Sequence, residues 1–139
     1  MDDDAYTLRP IGFVRSPLRD RRDAPRQAHE GAPEALLELA PEFAPALHRV
    51  RPEQDLILLT WLHLADRSTL QTHPPDDTSA PLTGVFATRS SDRPNPIGLH
   101  RVTVMAIESP TRLRVSALEA IDGTPIVDIK TVIAESGDE

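Results

Sequence analysis

Between Asp55 and Ala65 the chain reads DLILLTWLHLA, apolar at almost every position. That pattern suits a central strand buried on both faces. RLRVSALEAI (112–121) instead opens with strict alternation, Leu113, Val115 and Ala117 against Arg112, Arg114 and Ser116, so one of its faces is wet. IGFVRS (11–16), LTGVFATR (82–89), GLHRVTVMAI (98–107) and TPIVDIKTVI (124–133) complete a set of six predicted strands. Asp122 and Gly123, between the last two, predict a hairpin turn. PEFAPALHRV (41–50) is the one predicted helix: Pro41 suits its first turn, while Pro45 interferes with its start. ALLEL (35–39) fits helix or strand, and its length favours strand. The polar, proline-rich stretch 66–81 reads as a loop, functional or mobile at that length. Many short strands separated by turns predict a mainly β fold, an antiparallel barrel or a sandwich.

Composition narrows this. A chain of 139 residues holds one domain, taken as 5–134, with frayed acidic ends at 1–4 and 135–139. Fourteen prolines disfavour long helices, and five aromatic residues leave an aliphatic core. With no cysteine, disulfides, thiol catalysis and thiolate metal sites are excluded together. No apolar run reaches the roughly 18 residues of a membrane span and no basic-then-apolar leader opens the chain, so a soluble cytoplasmic protein is expected. The net charge is -7, but Asp2, Asp3, Asp4, Glu135, Asp138 and Glu139 carry six of those charges. Residues 9–26 are the reverse, six arginines against Asp20 and Asp23, and are either a phosphate-binding segment or a solvated loop of mixed charge.

The stiffest segment is TRSSDRPNPIGLH (88–100). Pro94 and Pro96 fix their own φ and push Arg93 and Asn95 toward extended backbone, so the loop displays its side chains with little entropy left to lose. Gly98 can take a φ closed to other residues or let another chain or a ligand approach the backbone closely. The usual nucleotide signatures are missing: the glycines never form G-x-G, and no G-K-[ST] follows one. Nor do the five histidines fall at metal-ligand spacing, and no serine sits in G-x-S-x-G. Polar residues gather instead in three groups: Pro25, Arg26 and Gln27; the 88–100 loop; and IDGTPIVDIK (121–130). From the residues alone these point to a ligand-binding β domain.

Taken together, IGFVRSP (11–17), PRQ (25–27), GVFATRSSDRPNPIGLHRV (84–102) and LEAIDGTPIVDIK (118–130) resemble the TsaA-like family, known for its TrmO-type tRNA methyltransferases. The resemblance implies a small single-sheet antiparallel β-barrel with one or two short helices, commonly a homodimer, that binds S-adenosylmethionine without a Rossmann domain. It implies methylation of the exocyclic nitrogen of a threonylcarbamoyl-modified adenosine beside the tRNA anticodon. By position, the cofactor contacts fall on Pro25, Arg26, Gln27, His63, Leu64, Arg89, Leu99, Ile121, Asp122, Gly123 and Thr124. EQDLILLTW, before His63, lacks the Ser-His-aromatic pattern usual there. Asn95, held between two prolines, either meets the adenine edge through its amide or bonds neighbouring backbone to hold the loop. Several TrmO-type enzymes carry a further C-terminal domain, whereas this sequence stops soon after DIKTVI; a small-molecule acceptor and a non-catalytic cofactor-binding module therefore stand as alternatives.

Overall fold

A computed structural model describes residues 4–22, 31–73 and 79–133. Pro25, Arg26 and Gln27 lie outside these, as do the predicted frayed ends apart from Asp4. Among the described residues the strands are β1 (Gly12–Arg15), β2 (Ala35–Leu39), β3 (Asp55–Trp61), β4 (Gln71–Thr72), β5 (Thr83–Gly84), β6 (Ile97–Ser109), β7 (Arg112–Val115) and β8 (Pro125–Thr131). Six of them close into an antiparallel barrel in the order β1-β2-β7-β6-β3-β8, with Gly12 opposite Ile126 completing the ring. Closure settles barrel against sandwich, because each of these six strands then has a partner on both sides.

Strand parity fills the interior. Val14, Leu37, Leu56, Leu58, Val102, Val104, Leu113, Val115, Leu118 and Ile126 are buried in one aliphatic core. β3 sits between β6 and β8 with its inward face buried. On the opposite parity Ile57 is only 3% exposed, but Asp55, Leu59 and Trp61 are half-buried. The strand is therefore not covered on both faces as its pattern predicts, because the outer wall of a single-sheet barrel faces outward. Register shifts at Val104/Ala106 and Ile107/Ser109 let the 13-residue β6 bend around the barrel.

Three further expectations need correction. The predicted strand at 82–89 pairs only over Thr83–Gly84, against β4 and outside the barrel, and Val85–Ala87 then coils into a 3-10 turn. Arg93 is the physical reason: its guanidinium collects the carbonyls of Val85, Thr88 and Ser90, each at 2.7 Å, and bends the backbone that would otherwise join a ladder. The hairpin expected at Asp122–Gly123 is not made, since β7 pairs with β2 and β6 while β8 pairs with β1 and β3. The helix expected over 41–50 is a 3-10 segment, Pro41–Leu47, because Pro45 has no N–H to donate in an α-helical ladder. ALLEL is strand, as its length indicates.

Candidate functional site

Antiparallel order brings the C-terminal ends of β1, β3 and β7 to the same end of the barrel as the N-terminal ends of β2, β6 and β8. The segments 16–22, 62–67, 88–96 and 116–124 all emerge there. Two of the three polar groups read from the sequence thus share one end of the molecule; the third, Pro25–Gln27, is outside the described residues.

The 121–124 turn is locked onto β1. Gly123 takes φ +84, a left-handed conformation that a side chain resists, and donates its N–H to the Val14 carbonyl at 2.7 Å. Asp122 donates its N–H to Leu18 at 2.7 Å, while its carboxylate accepts from the Ser16 amide at 3.0 Å and from Arg19 at 3.2 Å. Ile121 and Thr124 are buried, and the Thr124 hydroxyl donates to the Ile121 carbonyl. Beside Asp122, between β1, β2 and β7, lies a surface cavity of about 570 Å³ lined by Arg15, Arg19, Glu34 and Arg114 among others; of the predicted residues only Asp122 lines it.

The proline loop is braced from the turn after β3. The Leu62 N–H donates to the Pro96 carbonyl at 2.8 Å. Arg67 lies over the Trp61 ring, 5.1 Å from its centroid, donates Nε to the Pro94 carbonyl at 2.7 Å and donates Nη2 to Asn95 Oδ1 at 3.0 Å. Asn95 is exposed, so its remaining lone pair and its Nδ2 donors face no buried competitor. Asp92 Oδ1 accepts from the Asp66 amide and from Arg21, whose other terminal nitrogen donates to the Leu64 carbonyl at 2.8 Å. The Asp66 carboxyl is held below its usual range by the Ser68 hydroxyl and then by the Ser68 amide.

Residues 18–22 therefore strap the two halves together, Arg19 reaching the Asp122 turn and Arg21 the loop at Asp92. Arg22 forks onto Asp20 and lowers that carboxyl below its usual range. With Arg9 on Glu42 and Arg15 on Glu38, five of the six arginines that gave residues 9–26 their positive balance are engaged within the chain, the sixth, Arg26, lying outside the described residues. His63 and Leu64 lie just past the end of β3 and are exposed, as is Arg89 after the 3-10 turn. Leu99 is on the outer wall of β6, opposite Leu59.

Sequence reasoning missed the polar chain inside the barrel mouth. His100, 6% exposed, meets the Thr60 hydroxyl through Nε2 at 2.7 Å and bonds the Glu119 carboxylate through Nδ1. A Cβ on Gly98, which sits opposite Thr60, would lie 2.4 Å from Thr60 Oγ1 and 2.7 Å from His100 Nε2. The reason for Gly98 is therefore neither of those expected: its φ is ordinary, and what approaches it is Thr60 and His100 of its own chain. The available signals were Thr60, a hydroxyl at an inward position of β3, and Glu119, an acid inside the apolar run LEAI. Arg67 had no signal, since its place depends on how the turn folds.

Residues 13–138 match the family described as the tRNA-methyltransferase O N-terminal domain. The chain belongs to this family. Among relatives of the TrmO N-terminal domain, an S-adenosyl-L-methionine-binding protein of Archaeoglobus fulgidus is 42% identical over 123 residues, 88% of this chain and 86% of that protein. A probable S-adenosyl-L-methionine-binding protein of Methanothermobacter thermautotrophicus is 39% identical, covering 94% and 92%. The crystal structure of TrmO from Pseudomonas aeruginosa superposes with a TM-score of 0.78 at 29% identity, over 98% of this chain. This chain covers 60% of that TrmO. Among the described residues no helix is long and apolar enough to cross a membrane.

Proposed function

We propose that this chain is an S-adenosylmethionine-dependent methyltransferase, acting in the cytoplasm on N6 of a threonylcarbamoyl-modified adenosine beside the tRNA anticodon. The observation that carries the reading is the TrmO match across residues 13–138, which includes all of GVFATRSSDRPNPIGLHRV. His63, Leu64, Arg89, Leu99, Ile121, Asp122, Gly123 and Thr124, with Pro25, Arg26 and Gln27, would hold the cofactor. Within the described set, Leu64 and Leu99 offer exposed apolar surface to a purine, and nothing lies within 4 Å of the Cβ position of Gly123 to block a close approach. When bound, the cofactor supplies a methyl group made electrophilic by its sulfonium.

The chain's own task is placement. An adenine exocyclic nitrogen is a poor nucleophile because its lone pair is delocalised, so it must be held in line with the methyl at roughly 3–3.5 Å. Asn95 performs this. Arg67 occupies one lone pair of Oδ1 and fixes the amide plane, leaving the second lone pair for the N6–H and Nδ2 to donate to the adjacent ring nitrogen. Asn95 would polarise the N–H without itself becoming a base; the methyl would pass from the sulfonium to the nitrogen, its S–C bond breaking to leave a neutral thioether, and the proton would go to solvent. The homodimer belongs to the same reading: Leu59 opposite Leu99 and Trp61 opposite Ile97 make an outward apolar strip on the β3–β6 wall.

A second reading, a non-catalytic module that binds the cofactor, draws support from the names of the two archaeal relatives, which state binding alone. Incubating the protein with methyl-labelled S-adenosylmethionine and total tRNA, with and without the threonylcarbamoyl group, separates the readings. Label confined to the modified tRNA is the expected result. Cofactor binding with no label in either tRNA would move the assignment to the binding module or to a small-molecule acceptor.

A further inference from the structure

We propose that His100 is a positioning residue that sets where the 121–124 turn sits relative to the end of β3 and the proline loop. This rests on the reading of that end of the barrel as the cofactor site. β7 ends at Val115, the Ser116 N–H makes one more bond to the Thr103 carbonyl, and the chain does not rejoin a strand until Pro125. Across that gap its hydrogen bonds to the rest of the chain run mainly one way, from Leu118 to Pro33, from Asp122 to Leu18 and from Gly123 to Val14, all toward the β1–β2 side. Among the described residues from 117 to 124, the hydrogen bond running the other way, to the β3–β6 wall, is Glu119 to His100.

The imidazole hands this connection on. With Nδ1–H donating to the Glu119 carboxylate, Nε2 accepts from the Thr60 hydroxyl, and Thr60 immediately precedes Trp61, on which Arg67 stacks. One chain of three side chains therefore joins the turn at 121–124, the strand that begins just after Asn95, and the strand that ends just before His63. Thr60 is fully buried and the Glu119 side chain is 17% exposed, so the chain is anchored inside the barrel and open only at its acidic end. Apolar side chains would fill the same space without the cost of desolvating a carboxylate and an imidazole. What they would not supply is a directional tie from residue 119, midway along the stretch between β7 and β8, to the β3–β6 wall, in addition to the β8–β3 pairing that begins at Ile126. The opening left by Gly98 is the second sign, because any larger residue there would occupy the space where the two bonded atoms meet.

Glu119 is the residue to change, since it is partly exposed and the barrel keeps its apolar core without it. Glu119→Gln retains an oxygen acceptor for the imidazole N–H, and Glu119→Ala does not. Amide exchange at Asp122 and Gly123 is measured in cofactor-free protein against exchange at Leu58, which reports global opening, and S-adenosylmethionine affinity is measured by calorimetry. In Glu119→Ala, exchange at 122 and 123 should rise about tenfold relative to Leu58 and the cofactor Kd should rise about tenfold, the scale of one lost charge-assisted hydrogen bond; Glu119→Gln should stay within about threefold of the parent in both. Exchange at 122 and 123 that moves only in step with Leu58 would show a general packing role and overturn the proposal. A parent protein that binds no S-adenosylmethionine would overturn the cofactor reading instead, and the exchange comparison would still decide the coupling.

Discussion

Gly98 and Gly123 show how one residue type meets two different demands. At Gly98 the backbone is ordinary strand and the constraint is space: an added methyl would lie 2.4 Å from Thr60 Oγ1, 2.7 Å from His100 Nε2 and 3.1 Å from Leu62 Cδ2. At Gly123 the space is open and the constraint is φ +84. Gly98→Ala should accordingly destabilise the barrel by about 1–3 kcal/mol through overpacking and disturb the Thr60–His100 bond. Gly123→Ala should cost about 1–2 kcal/mol from conformation alone and leave that bond intact. Urea denaturation gives both numbers, and the His100 ring resonances in NMR report the bond. Equal disturbance of His100 by the two substitutions would show that the crowding at Gly98 is not what matters.

At the scale of elements, the proline loop is rigid for two reasons of different origin. Pro94 and Pro96 restrict the backbone, whereas Arg93 and Arg67 hold it from either side through carbonyls and the Asn95 amide. If Arg67 acts by orienting Asn95, then Asn95→Ala and Arg67→Ala should each lower methyl transfer by about tenfold or more while cofactor affinity stays nearly constant. The double variant should then lose little beyond Asn95→Ala alone, as expected for residues acting as one unit. Arg67→Lys should not rescue, because an ammonium cannot make the forked contact while stacking on Trp61. Single-turnover methyl transfer beside calorimetry is the measurement. Additive losses, or cofactor affinity falling in parallel, would separate Arg67 from Asn95 and turn the loop into a wall of the cofactor pocket.

For the whole molecule, closure leaves no open edge among the six barrel strands, so self-association through the barrel uses side chains on its outer wall. The strip formed by Leu59, Trp61, Ile97 and Leu99 is the candidate, Ile97 being 44% and Leu99 37% exposed. Sedimentation should give a dimer at micromolar concentration, and Ile97→Asp should shift it to monomer with the melting temperature of the barrel largely kept. A parent protein that sediments as a monomer would remove the dimer from the functional reading. The arginines at 19, 21 and 22 carry a similar lesson about scale: counted along the chain they form a basic segment, but in the fold each is matched to a carboxylate.

The β class, five of the six barrel strands at full or partial length, the aliphatic core and the stiffness of the proline loop were all legible in the sequence, β2 being left between helix and strand until its length was weighed. Each depends on local terms: side-chain period, proline geometry and the lack of large aromatic residues. What the sequence did not reveal depends on contacts between distant residues. Asp122–Gly123 looks like a hairpin turn locally, yet β7 and β8 each have better partners elsewhere in the ring, so the turn docks on β1 instead. LTGVFATR has the composition of a strand, and only the approach of Arg93 coils it. Thr60, His100 and Glu119 are separated by 40 and 19 positions in the chain, and no spacing rule connects them. The sequence determined which residues face inward; the closing of the ring decided which of those meet, because register across six strands is a property of all of them at once.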